Sequence, residues 1–136
     1  MENKKRLIIV CTLLVIAVCT WIGVRASTRI PEEQQIKADQ VAKIVGPSGQ
    51  LDAEEAEKMI HLFNNARYRG KDVGYDTTAE GAFSVYFKDG SILLIQNYGG
   101  KNYCVLLQKD GKYLKNNSFF ITSDKLRDFY NEVRNK

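Results

Sequence analysis

The sequence predicts an α+β protein: an N-terminal transmembrane helix followed by a two-layer β-α-β-β-β-β-α domain with a mainly antiparallel sheet and two helices on one face. Three observations predict it. Leu7 to Val24 is an almost unbroken apolar run. Three turn pairs, Asp89-Gly90, Gly99-Gly100 and Asp110-Gly111, separate strand-forming segments. Two further stretches, around Met59 and Phe129, repeat apolar residues at helical spacing. The expected organisation is residues 1–26 as membrane anchor or signal, 27–39 as a tether, and 40–136 as the extracytoplasmic domain.

The apolar run comes first. Its roughly 18 residues, at about 1.5 Å rise each, make a helix of about 27 Å, close to the hydrocarbon thickness of a bilayer. Lys4, Lys5 and Arg6 precede it, Arg25 closes it, and Trp21 sits near the far end, where indole rings favour the interface. Two other readings compete with a retained anchor. A signal peptide would be cleaved after Ala26, but the apolar stretch exceeds the usual length of about 7 to 15 residues. A lipoprotein would carry its lipid on Cys19, but the preceding Val18 is bulkier than the small residue such a site takes. The basic N-terminal flank orients the C-terminal domain outward, so the expected location is the cell membrane, crossed once by residues 7–24.

Charge belongs mainly to that anchor. The chain has 20 Lys and Arg against 16 Asp and Glu. Without residues 1–26, which hold Lys4, Lys5, Arg6, Arg25 and Glu2, it keeps 16 and 15. A nearly neutral domain argues against nucleic acid as a partner, because a polyanion needs a basic face. Cys11 and Cys19 fall in the apolar run and leave Cys104 alone outside it. Stability of the domain therefore comes from packing, with no internal disulfide.

Residues 27–39 are polar, contain Pro31 and lack sustained periodicity, so they read as a tether or a short frayed helix. Val41 to Val45 reads as a strand stopped by Gly46-Pro47-Ser48-Gly49. Asp52 and Glu55 form a capping-box pair, and Ala56, Met59, Ile60 and Phe63 follow at i, i+3, i+4 and i+7, which predicts a helix to about Ala66. If the turns at Asp89-Gly90 and Gly99-Gly100 have two residues each, Phe83, Val85, Phe87, Ile92, Leu94, Val105 and Leu107 share the core face. Ser84, Tyr86, Leu93, Ile95, Asn97, Cys104 and Leu106 then form the other. The alternative to an open second sheet face is that Ile30 and Ile36, from residues 27–39, cap it. A strand over Phe119 to Ile121 and a helix capped by Thr122 or Ser123, with Leu126, Phe129, Tyr130 and Val133 inward, complete the domain.

The acid-capped helix ending in LFNNARY, the FSVYFKDGS hairpin and the terminal ITSDKLRDFYNEV together resemble domains of unknown function in membrane-anchored proteins and lipoproteins of Gram-positive bacteria. The resemblance covers about residues 40–134 and implies no catalytic residues. Val18-Cys19 departs from the lipoprotein pattern. The element order is also similar to the half-repeat of TATA-binding proteins, but Lys and Arg do not line the open face here, so only the architecture carries over.

Candidate chemistry is sparse. His61 is the single histidine, on an exposed part of the first helix of the domain, and Cys104 with His61 is the one conceivable nucleophile pair. Glu54, Glu55 and Glu57 read as a solvated first helical turn, and Gly99-Gly100 has no following helix to cradle a phosphate. Asn116-Asn117-Ser118 fits a glycosylation pattern. Neither a metal site nor a cofactor is expected. Two surfaces are candidates for binding: the sheet face with Tyr86, Leu93, Ile95 and Leu106, and the basic cluster Arg67, Arg69 and Lys71, which also suits a helix C-terminus. The expected function is a membrane-tethered extracytoplasmic binding or structural module without catalysis, its partner an envelope protein or wall component. The alternative is a thiol hydrolase built on Cys104 and His61.

Overall fold

The computed structural model describes residues 1–71, 80–114 and 117–136, and for 25–27 the backbone alone. Helix α1 spans Glu2–Ser27 and is exposed throughout residues 2–24. It is long and apolar enough to cross a membrane or serve as a signal anchor. Its threonines fit that environment. Thr12 Oγ1 donates to Ile8 O and Thr20 Oγ1 to Ile16 O, both at 2.8 Å, so neither hydroxyl needs water.

Beyond it follow β1 (Val41–Gly46), β2 (Gly49–Gln50), α2 (Ala53–Asn64), β3 (Arg67–Lys71), β4 (Glu80–Phe87), β5 (Ile92–Gly99), β6 (Asn102–Lys109), β7 (Lys112–Tyr113), β8 (Phe119–Thr122) and α3 (Asp124–Arg134). Among the described residues these eight strands make one sheet in the order β2-β1-β4-β5-β6-β8-β3, with β7 pairing β6, and neighbouring strands are antiparallel. The predicted succession is corrected by three additional strands. Two are two-residue extensions of hairpins. The third, β3, is the stretch Arg-Tyr-Arg-Gly-Lys, whose exposed Arg67, Arg69 and Lys71 alternate with half-buried Tyr68 and Gly70. Helix α2 therefore stops at Asn64, and these cations lie on an edge strand. Charges on an edge discourage pairing with another chain.

Both helices are capped as the sequence indicates. Asp52 accepts from Glu55 N at 2.8 Å while Asp52 N donates to Glu55 Oε2 at 3.2 Å, and Ser123 Oγ accepts from Leu126 N at 3.1 Å. They bury Met59 and Phe63 from α2, and Leu126, Phe129 and Val133 from α3. Phe83, Ile95, Val105 and Phe119 lie side by side across four strands. Phe83 stacks on Phe129 at 6.0 Å and meets the edge of Tyr130 at 5.9 Å, while Phe119 approaches Phe63 at 6.3 Å. One sheet face thus receives both helices. A parallel row, Ile44, Val85, Leu93 and Leu107, continues that face.

Strand β5 is inverted relative to expectation. The β4–β5 connection has three residues, Lys88 to Gly90: Phe87 N donates to Ser91 O at 2.9 Å, and Gly90, at φ +86°, takes the left-handed position that lets the chain rejoin the ladder. The β5–β6 turn also shifts by one, with its tip at Gly100-Lys101 and a bulge at Tyr98. The two one-residue shifts cancel across β6. Only β5 turns over, because a one-residue slip exchanges the faces of a strand. Leu93 and Ile95 are core residues at 6% and 0% exposure, and Ile92 and Leu94 are half-buried on the opposite face. The Asp110-Gly111 turn does have two residues, with φ of +52° and +73°.

Residues 28–40 are part of the domain, a correction to their reading as a tether. Ile30 and Ile36 are 1% and 3% exposed within the core. Thr28 O accepts from Tyr68 N at 2.6 Å, and Arg29 forms an isolated bridge with Arg67, so the segment adds to the free side of β3. Further on, Asn64 grips its backbone twice: Ile36 N donates to Asn64 Oδ1 at 2.8 Å, and Asn64 Nδ2 donates to Ile36 O at 2.9 Å. Asn64→Ala strips two main-chain groups of partners, and an expected loss of about 1 to 3 kcal/mol is measurable by denaturant titration. A change below about 0.5 kcal/mol would show that water replaces the amide there.

Tyr103 is fully buried in the helix-side core and its hydroxyl makes no hydrogen bond among the described residues. Burial pushes the phenol up to about 12, and the neighbouring Asn97 amide, already committed to the oxygens of Gly100 and Asn102, counteracts only part of this. A raised folded value favours the neutral phenol. That stability is complete below the ordinary phenol value of about 10 and is lost as pH rises through the folded value. Tyr103→Phe should leave stability at pH 7 unchanged or raise it by up to about 1 kcal/mol. Above pH 10 it should weaken the alkaline decline relative to the parent, as melts at pH 7 and pH 11 would register.

Candidate functional site

The segment packed beside the sheet leaves a cleft. Gln34, Ile36 and Gln40 form one wall, the β4–β5 turn from Phe87 to Ser91 forms another, and the helix-side row ending in Leu93 and Leu107 makes the floor with Phe119. Its volume is about 460 Å³, enough for a small molecule or a few side chains of a partner. The floor is apolar. Among the described residues the rim carries Glu33, Asp39 and Asp89 against one cation, Lys88.

Local bonds set the rim. Lys88 Nζ donates to Asp39 O at 2.7 Å and Lys88 N donates to Gln40 O at 2.9 Å, tying the turn to the segment. Asp89 Oδ1 accepts from Ser91 Oγ at 2.6 Å and from Ser91 N at 2.8 Å. These two bonds hold the Asp89 carboxyl below the usual carboxylate range, which keeps it charged through mild acid. Gln34 Oε1 is buried without a hydrogen-bond partner among the described residues. A donor on an occupant would satisfy it.

The predicted sheet-face site does not assemble. Tyr86 and Leu106 stay on the face away from the helices, joined there by Ile92, Leu94, Cys104 and Phe120. Ile95 and Leu93 belong to the other side, for the register reason above, and Leu93 contributes to the cleft floor. Lys43 Nζ sits 4.8 Å from the centre of the Tyr86 ring, and Tyr98 meets Phe120 edge-on at 5.3 Å. Leu106 and Cys104 are only 1% and 2% exposed. The second candidate does hold together. Arg67, Arg69 and Lys71 are exposed along β3.

Cys104 pairs with Gln96 and Phe120, between Tyr103 and Val105, which face the helices. Its side chain is therefore on the sheet side opposite α2, where exposed His61 resides. The sheet separates the two. Among the described residues no three His, Cys, Asp or Glu side chains converge. The glycosylation-type triplet begins at Asn116, outside the described residues. Sequence reasoning missed the cleft because half its rim lies in the supposed tether. The legible signal was Ile30 and Ile36, which the sequence offers as a cap on the second sheet face and which instead join the core cluster of the helix side. Comparison with family models, curated proteins and solved structures finds no match to this chain.

Proposed function

We propose that this protein is a membrane-tethered binding module, without catalytic activity, that presents its domain outside the cell and captures an envelope protein or wall component in the cleft. The observation that carries the reading is an apolar floor of Leu93, Leu107 and Phe119 beneath a rim with three carboxylates. Such a site suits an apolar group next to a cationic one, since the floor rewards burial and the rim attracts positive charge. The exposed α1 supports retention at a membrane, and the Lys4, Lys5, Arg6 flank supports an outward domain. The resemblance of residues 40–134 to Gram-positive membrane-anchored domains points the same way. The thiol-hydrolase reading loses support because Cys104 and His61 cannot share a proton across a sheet.

A photo-crosslinking side chain at Gln40, on the cleft wall, tests the site in intact membranes, with the same group at exposed Lys125 on α3 as control. Adducts from position 40 but not from 125, lost in Leu107→Trp, are expected. Equal labelling from both positions removes the cleft assignment. Protease added to intact cells should degrade the domain, and mass spectrometry of untreated protein should find Trp21 still attached. A mature chain beginning at Ser27, or lipid on Cys19, overturns the retained anchor.

A further inference from the structure

Four exposed cations meet where α1 ends. The apolar run stops at Val24, the helix continues to Ser27, and two residues later Arg29 bridges to Arg67 on β3. Arg69 and Lys71 follow on the same edge strand, and all four side chains are exposed. None makes an ion pair among the described residues. Some cations elsewhere do have acidic partners: Lys58 has Glu132, Lys101 and Arg127 have Asp124, and Lys136 has Glu55. Among the described residues, the edge from which α1 departs thus carries four adjacent cations without an ion pair in a near-neutral domain.

Chain geometry fixes how close that edge stays to the bilayer. Three helical residues at about 1.5 Å and two extended ones at about 3.4 Å put Arg29 at most about 11 Å from the end of the apolar run. That is comparable to the Debye length of about 10 Å at 0.1 M salt. The Thr28 and Arg29 main-chain contacts then hold β3 at the same level.

We propose that the β3 edge, through Arg29, Arg67, Arg69 and Lys71, is a docking surface for anionic lipid headgroups of the membrane that α1 crosses. The proposal rests on α1 spanning the bilayer. Headgroup phosphates supply acceptors that these side chains lack among the described residues, and each basic residue held near an anionic surface strengthens the attraction roughly fivefold. Docking would fix the orientation of the domain on its anchor, and so the direction in which the cleft faces.

Full-length protein reconstituted into vesicles provides the test. Phosphatidylcholine vesicles with and without 30 mol% phosphatidylglycerol are compared at about 50 mM salt, and phenylglyoxal modification of each arginine is followed by mass spectrometry. Exposed Arg134, on α3, is the internal reference. In the anionic vesicles Arg67 and Arg69 should react about tenfold more slowly, Arg134 should not change, and 1 M salt should abolish the difference. Lys71→Gln, which leaves the reporters intact, should relieve part of the protection while the circular dichroism spectrum stays the same. Equal rates in both vesicle types, with the chain resistant to alkaline carbonate, overturn the proposal alone. Release of the chain by carbonate overturns the spanning reading and the proposal with it. Protection by soluble polyphosphate in phosphatidylcholine vesicles, without protection by phosphatidylglycerol, assigns the edge to an anionic polymer and also overturns it.

Discussion

Ile95→Lys is expected to unfold the domain. Ile95 has no exposure, lies in the row with Phe83, Val105 and Phe119, and is covered by the two helices that this row contacts. Truncation to alanine alone should cost about 2 to 5 kcal/mol. A lysine there adds an unpaired buried charge, whose desolvation costs several kcal/mol more, and the sum approaches the whole stability of a domain this size. Leu94→Lys is the matched control. Its side chain lies half-buried on the opposite face, where the ammonium can reach water over the sheet, so the domain should remain folded. Near-ultraviolet circular dichroism of the full-length protein in detergent separates the outcomes. If Leu94→Lys unfolds the protein and Ile95→Lys does not, the three-residue β4–β5 turn is wrong and the strand faces outward as a two-residue turn requires.

The second large effect tests the proposed membrane span of α1. Leu14→Arg together with Val15→Arg places two guanidinium groups near the centre of the apolar run. Each arginine at a helix centre opposes membrane insertion by about 2.5 to 3.5 kcal/mol. Together they outweigh the contribution of several leucines, so the double variant should move from the membrane pellet to the soluble fraction. The domain should stay folded, because α1 buries nothing against it among the described residues. Continued resistance of the variant to carbonate extraction would show that another part of the protein holds it to the membrane. Lys4→Gln with Lys5→Gln should leave fractionation unchanged, since these residues bear on orientation.

The reach of the sequence follows from the range of the forces involved. Helix α1, the Asp52 and Ser123 caps, and the stripes Met59–Phe63 and Leu126–Phe129–Val133 depend on neighbours within one or two turns, and they are legible one residue at a time. The Asp110-Gly111 turn is equally local, because both residues supply the positive φ that a two-residue hairpin needs. Strand β5 shows where locality ends. Ile92, Leu93, Leu94 and Ile95 are all apolar, so no alternation marks an inner face, and the choice passes to the length of a turn. Lys88-Asp89-Gly90 closes as three residues partly because Ser91, through Asp89, and Gln40, through the Lys88 amide, hold it that way. Gln40 is 48 residues upstream, and such a contact exists only after the chain has folded.

The same argument covers the candidate sites. Arg67, Arg69 and Lys71 were visible as a basic cluster, but their place on an edge strand beside Arg29 depends on β8 accepting β3 as its partner. The cleft depends on Asn64 of α2 fixing the backbone at Ile36 across 28 residues. By itself the sequence determined the apolar N-terminal helix, the α+β class and the helical core stripes, because each is encoded by composition, periodicity or capping over a few residues. Tertiary structure alone decided which face of β5 is buried, that residues 28–40 belong to the domain, and where the cleft and the basic edge lie. Those features depend on pairings between distant residues, whose register shifts with a single extra residue in a turn.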